Sequence, residues 1–163
     1  MNTRKVNAKQ CKMVAHRGCS GLEKENTLAA FIAAGNRSYW GVETDVHRTA
    51  DGEYVVIHDS ETGRVAGDNI VIENTSFEYI RSLRLKDIDG TRTRADLRIP
   101  TLREYIAICK KYEKNCVLEF KTVYTLEQVA EMVEIIKEEG WLEHVVFISF
   151  AYDNLLNLRK ILP

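Results

Sequence analysis

Gly41-Val42-Glu43-Thr44-Asp45-Val46-His47 alternates residue by residue, with Val42, Thr44 and Val46 on one side of an extended chain and Glu43, Asp45 and His47 on the other. The first side suits a core. The second carries two carboxylates and an imidazole into what reads as a buried strand, and charged groups are rarely left inside without partners or a metal. Two carboxylates two residues apart on one strand face make a hard-cation site. Whatever this chain folds into must therefore bring positive charge to that face.

The surrounding segments repeat the theme. The run from Lys12 to Arg17 reads as a strand that ends in His16 and Arg17 ahead of Gly18. Arginine presents a planar fork that matches phosphate oxygens, and histidine titrates near neutral pH. Asp51-Gly52 reads as a tight turn, and Tyr54 to Ile57 as a strand that delivers His58 and Asp59 at its end. Val117-Leu118-Glu119-Phe120-Lys121 places Glu119 and Lys121 on one face of an apolar strand, and His144 to Phe150 reads as a further strand. Carboxylates, histidines, an arginine and a lysine at strand ends suit attack on a phosphate ester.

Helix signals alternate with the strands. Leu28, Phe31 and Ile32 form one apolar stripe; Leu102, Tyr105, Ile106 and Cys109 a second; Val129, Met132, Val133 and Ile136 a third. Capping-box patterns pair Thr75 with Glu78, Thr101 with Glu104, and Thr125 with Gln128. Leu155, Leu158 and Ile161 suggest a last helix. Strands and helices in this order favour a parallel sheet, so the fold class is α/β.

His16-Arg17-Gly18, Glu25-Asn26-Thr27, Glu43-x-Asp45-x-His47, Thr49 with Asp51-Gly52, His58-Asp59 and Glu119-x-Lys121, in this order and spacing, resemble the glycerophosphodiester phosphodiesterases. The resemblance implies a TIM-type barrel with its site at the C-terminal ends of the strands. It implies a divalent cation, Mg²⁺ or Ca²⁺, held by Glu43, Asp45 and Glu119, with His16 as general base and His58 as general acid. Arg17 and Lys121 would then bind the phosphate of a small-molecule glycerophosphodiester. The implied reaction passes through a cyclic phosphate to glycerol 3-phosphate and an alcohol.

Two features depart from the family pattern. Lys24 stands where the family usually has proline, which alters a turn. A TIM barrel usually takes about 250 residues, whereas this chain has 163. About five of the eight strands can be placed. The whole chain is expected to form one domain, the N-terminal part of the barrel, with 60–100 as a family-type insertion. An open parallel sheet exposes an edge and an unfilled interior, so a truncation, a fragment or self-association covering that edge is expected.

Composition fits a soluble globular chain. With 45% hydrophobic and 29% charged residues and a formal net charge of −1, it suits neither disorder nor bulk nucleic-acid binding. Met1 to Gln10 is polar and lacks a signal-peptide apolar core, and no stretch reaches membrane-spanning length, so a cytoplasmic location is expected. Cys11, Cys19, Cys109 and Cys116 show no CxxC spacing, which favours reduced thiols.

Other readings of the same residues stand beside this one. Glu43, Asp45 and Glu119 pair with Arg17 and Lys121 as a metal-free ionic network in one of them. Asp45-Val46-His47 with His58-Asp59 superficially matches a two-metal phosphoesterase in another. A third is a non-catalytic barrel remnant that binds a cation or a phosphate ester.

Overall fold

The computed structural model describes residues 9–163, so most of the polar Met1 to Gln10 segment lies outside the described residues. Five strands form one sheet: β1 (Val14–Ala15), β2 (Gly41–Arg48), β3 (Tyr54–Val56), β4 (Asn115–Phe120) and β5 (Val145–Ser149). β1, β2, β4 and β5 lie side by side in that order and run parallel. The α/β class and the partial parallel barrel expected from the sequence are what the chain adopts.

The third strand departs from an all-parallel sheet. β3 runs antiparallel to the end of β2, with Val46 opposite Val56 and Arg48 opposite Tyr54. The cause is local at both ends. Thr49 N donates to Glu53 O at 2.8 Å and Gly52 adopts φ +97°, so the turn folds the chain straight back. β1, expected to run from Lys12 to Arg17, pairs with β2 only through Val14 and Ala15, which leaves the upper edge of β2 free for β3.

β1 stops because Arg17 and Gly18 take φ +56° and +75°. His16 and Arg17 therefore lie in a turn beyond the strand. A Cβ at Gly18 would lie 2.7 Å from the Ala30 backbone, so only glycine lets this turn sit against the first helix.

Among the described residues six α-helices are interleaved with the strands: α1 (Leu28–Gly35), α2 (Gly63–Ala66), α3 (Phe77–Ser82), α4 (Leu102–Lys111), α5 (Leu126–Glu138) and α6 (Tyr152–Ile161). Val42, Val46, Cys116, Leu118 and Phe120 of the sheet pack with Phe31, Tyr105, Ile106, Met132 and Val133 of α1, α4 and α5 in the main core. The α4 and α5 stripes are buried as their periodicity indicates, and both carry complete capping boxes, at Thr101 with Glu104 and Thr125 with Gln128.

Two local expectations fail. Ile32 is exposed, whereas Phe31 of the same stripe is buried with Ala30 and Ala34: Phe31 packs edge-on against Tyr105 of α4 at 5.0 Å between ring centroids, and Ala30 lies against the Gly18 turn. Thr75 does not cap α3. Its hydroxyl donates to Val71 O at 2.8 Å, Ser76 becomes the N-cap, and the free Phe77 N–H is taken by the Asp51 carboxylate at 2.9 Å from the β2–β3 turn.

Residues 60–100 hold α2, α3 and a 3₁₀ turn around a second core of Val55, Ile57, Val65, Ile72, Ile80, Leu97 and Ile99. Its contact with Val55 and Ile57 ties it to the strand that carries His58.

Leu155, Leu158 and Ile161 are half-buried, as a last helix requires, but its fully buried residue is Asn154. Asn154 Oδ1 accepts from Tyr124 N at 2.8 Å, and its Nδ2 donates to Thr122 O at 2.7 Å and Ser149 Oγ at 3.0 Å. One side chain thus joins the loop after β4 to the end of β5. Asn154→Ala removes all three bonds and strands a buried N–H, so it should destabilise the chain by about 3 kcal/mol in equilibrium urea unfolding. A loss below about 1 kcal/mol would show that this link is dispensable.

Candidate active site

The face of the sheet opposite the main core carries the carboxylates. β2 and β4 pair with Asp45 opposite Glu119 and Glu43 opposite Val117, so the register brings three acids to one end of two adjacent strands. Glu43, Asp45 and Glu119 are buried, and one oxygen from each lies within 4.8 Å of the others. Among the described residues they are the only three acidic, histidine or cysteine side chains gathered closely enough to share one cation.

Their partners divide unequally. Glu43 Oε2 accepts from the Arg17 backbone N–H at 2.8 Å, and His16 Nε2 lies 3.8 Å from the same oxygen. Asp45 Oδ2 accepts from Asn26 Nδ2 at 2.8 Å, with Arg17 Nε at 3.6 Å. Lys121 Nζ donates to Glu119 Oε1 at 3.0 Å and stands 3.5 Å from Asp45 Oδ1. Asp45 Oδ1 is buried with no hydrogen bond.

Two side-chain cations face three carboxylates. Burial pushes Glu43 up to about 7, with the adjacent Asp45 charge adding to the effect and the Arg17 N–H working against it. The orphaned oxygen, the close oxygens and the surplus negative charge fit a hard divalent ion. They argue against a self-sufficient ionic network.

Arg17 also reaches outward, its Nη1 donating to Glu25 Oε1 at 3.1 Å. His16 is at the mouth, with its side chain 69% exposed. His58 arrives on the returning arm of the hairpin, where Ile57 N donates to Asp45 O at 3.1 Å, and its Nδ1 lies 2.6 Å from Asp59 Oδ1. The turn and the hairpin thus bring His16, Arg17 and His58 to the strand ends where the acids lie.

His47 does not join the acids. It is buried, its Nε2 lies 3.3 Å from His58 O and its Nδ1 4.0 Å from Glu73 Oε1, and burial lowers its pKa. Asp59 is engaged by His58 and by Arg64, whose Nε donates to Asp59 Oδ2 at 2.6 Å. The two-metal reading needs both His47 and Asp59 as ligands, and this geometry withdraws them. His144 stacks on Trp141 at 3.9 Å between ring centroids, a packing contact.

Sequence reasoning gave no role to Asn26. It is buried with φ +53°, accepts from Thr44 Oγ1 at 2.9 Å and donates to Asp45 Oδ2, so it fixes which Asp45 oxygen is left without a hydrogen bond. Only its place in the Glu25-Asn26-Thr27 motif pointed to it; the first helix itself is capped by Thr27.

A largely parallel α/β sheet with buried acids, basic groups and histidines gathered at the strand ends defines a partial barrel fold whose acidic end could hold a cation. Residues 16–163 match the model of the glycerophosphoryl diester phosphodiesterase family, and the chain belongs to that family. It is 32% identical over 153 residues to a glycerophosphodiester phosphodiesterase of Caldanaerobacter subterraneus subsp. tengcongensis, covering 93% of this chain and 63% of that protein. The structure of an Oleispira antarctica phosphodiesterase in complex with the product sn-glycerol-3-phosphate superposes with a TM-score of 0.82 at 30% identity, covering 93% of this chain and 62% of that one. A Thermotoga maritima glycerophosphodiester phosphodiesterase superposes with a TM-score of 0.70 at 30% identity, over 88% and 56% of the two chains. The chain thus spans between 56% and 63% of the length of these relatives.

The acid side of the stability curve reports on the Arg64–Glu25 pair. Hydrogen bonds from Arg64 hold Glu25 at about 2, below its ordinary 4.5. A carboxyl whose folded pKa is depressed contributes stability above its unfolded pKa, and that contribution is lost as pH falls through the folded value. Glu25→Gln should therefore flatten the loss of stability between about pH 4.5 and 2, measured by urea unfolding at stepped pH. An acid limb unchanged in that variant would show that the Arg64–Glu25 pair is not formed in solution.

Proposed function

We propose that this chain carries the site of a metal-dependent glycerophosphodiester hydrolase, releasing glycerol 3-phosphate and an alcohol. The observation that supports this best is the buried triad of Glu43, Asp45 and Glu119 with the unsatisfied Asp45 Oδ1. These three residues would hold Mg²⁺ or Ca²⁺. When bound, such an ion would offset the charge on the phosphodiester and polarise its oxygens.

The chain's own residues do the rest. Arg17 and Lys121, already beside the acids, hold the non-bridging phosphate oxygens and neutralise charge that grows in the transition state. His16, exposed at the mouth beside Glu43, takes the proton from the glycerol hydroxyl that attacks phosphorus. His58 gives a proton to the departing alkoxide, and the pair exchange roles when water opens the cyclic phosphate. Sn-glycerol-3-phosphate as the product in the Oleispira antarctica structure supports this substrate class.

The same reading takes the chain as one domain, with residues 60–100 as a family-type insertion beside the site. It places the chain in a reducing, cytoplasmic setting. Cys11, Cys19, Cys109 and Cys116 are free, and no helix among the described residues is long and apolar enough to cross a membrane. Self-association at the β5 edge belongs to the proposal too, because Val146, Ile148 and Phe150 are exposed there. Sedimentation should find a dimer or larger species that Ile148→Lys disperses; a monomer in both would remove this part.

The test is incubation with glycerophosphocholine under Mg²⁺, Ca²⁺ or a chelator, with glycerol 3-phosphate as the readout. Release should require the ion and vanish in Glu43→Gln, whereas His16→Ala and His58→Ala should each lower the rate by about two decades or more. A Glu43→Gln chain with full turnover would remove Glu43 as a ligand. Near-wild-type rates in either histidine variant would overturn the two-histidine mechanism. No release under any ion would favour a remnant that binds without turnover.

A further inference from the structure

Arg64 opens onto this site from α2, and nothing in the proposed reaction uses it. Its guanidinium engages all three nitrogens: Nε donates to Asp59 Oδ2 at 2.6 Å, Nη1 to Glu25 Oε2 at 2.9 Å and Nη2 to Glu25 Oε1 at 2.8 Å. Each carboxylate leads onward. Asp59 Oδ1 lies 2.6 Å from His58 Nδ1, and Glu25 Oε1 accepts from Arg17 Nη1 at 3.1 Å. One rigid planar cation therefore fixes the spacing of the two acids that hold His58 and Arg17, which a lysine ammonium cannot do.

We propose that Arg64 is a positioning residue that sets the tautomer of His58 through Asp59 and the reach of Arg17 through Glu25. This rests on the reading of His58 and Arg17 as reacting groups.

The chemistry of Asp59 gives the link its content. Partial burial raises the Asp59 pKa, but hydrogen bonds from Arg64 and His58 outweigh it and hold the carboxyl at about 2. An ionised carboxylate only accepts, so the short contact requires the hydrogen on His58 Nδ1. Neutral His58 then offers Nε2 as its basic atom, and the protonated form donates from Nε2. Without Arg64, Asp59 loses the partner that orients it, and Glu25 is left with Arg17 alone. Arg64 is itself 46% exposed, so a large contribution to stability is not expected of its ion pairs. Its effect should appear in the imidazole.

Nitrogen-15 NMR of the imidazoles in the full 163-residue chain, above the histidine titration, reads this directly. Wild-type His58 should be one tautomer, protonated at Nδ1. Arg64→Gln should give a mixture of both tautomers, and Arg64→Lys should return part of the way. A wild-type spectrum in Arg64→Gln would overturn the proposal. If that variant does not fold, the same comparison made with Arg64→Lys decides, since one ammonium cannot serve both carboxylates. In parallel, Arg64→Gln should lower kcat on glycerophosphocholine by about ten- to a hundredfold, as loss of an orienting partner does; an unchanged kcat would also overturn it. A wild-type chain that releases no glycerol 3-phosphate would defeat the reading of the reaction, while the imidazole spectra would still decide whether Arg64 positions His58.

Discussion

Three carboxylates buried at the ends of two adjacent parallel strands are the constraint around which this structure is arranged. Acids so close repel one another and are costly to desolvate, so they persist only where positive charge is brought to them. Arg17, Lys121 and the Arg17 backbone N–H supply part of it. Asp45 Oδ1 receives no hydrogen bond, and Glu43 is pushed up to about 7. That residue of unmet charge is what distinguishes the cluster from an ordinary buried ion pair.

The backbone around the acids follows from the same need. β1 ends after two paired residues, so that the turn at Arg17 and Gly18 can aim an N–H at Glu43. Its early end frees the upper edge of β2 for the antiparallel β3, which returns the chain beside Asp45 and delivers His58. The second core within residues 60–100 then packs on Val55 and Ile57 of this arm. It also carries Arg64, which completes a chain of hydrogen bonds from His58 through Asp59, Arg64 and Glu25 to Arg17.

Much of this could be read from the sequence, because strand alternation encodes which face a residue takes. Glu43, Asp45 and Glu119 share a face, and Val42, Val46, Leu118 and Phe120 share the other, as period-two patterning requires. The α4 and α5 capping boxes were legible for the same local reason. What was not legible depends on distant partners. The pairing of β3 depends on how early β1 stops, and the cap of α3 comes from Asp51, a residue 26 positions away. The exposure of Ile32 depends on α1 turning Phe31 toward Tyr105 and Ala30 toward the Gly18 turn. Asn26 and Arg64 carry no periodic signal, since each acts through contacts that only the folded chain creates.

Calorimetric titration of the purified chain with Mg²⁺ and with Ca²⁺, against Asp45→Asn, asks whether the buried acids form a cation site. One ion should bind per site for at least one of the two metals, and that binding should be lost in Asp45→Asn while the fold persists. Absence of binding heat for both ions, or binding unaltered in Asp45→Asn, would contradict it and leave the acids as a metal-free ionic network.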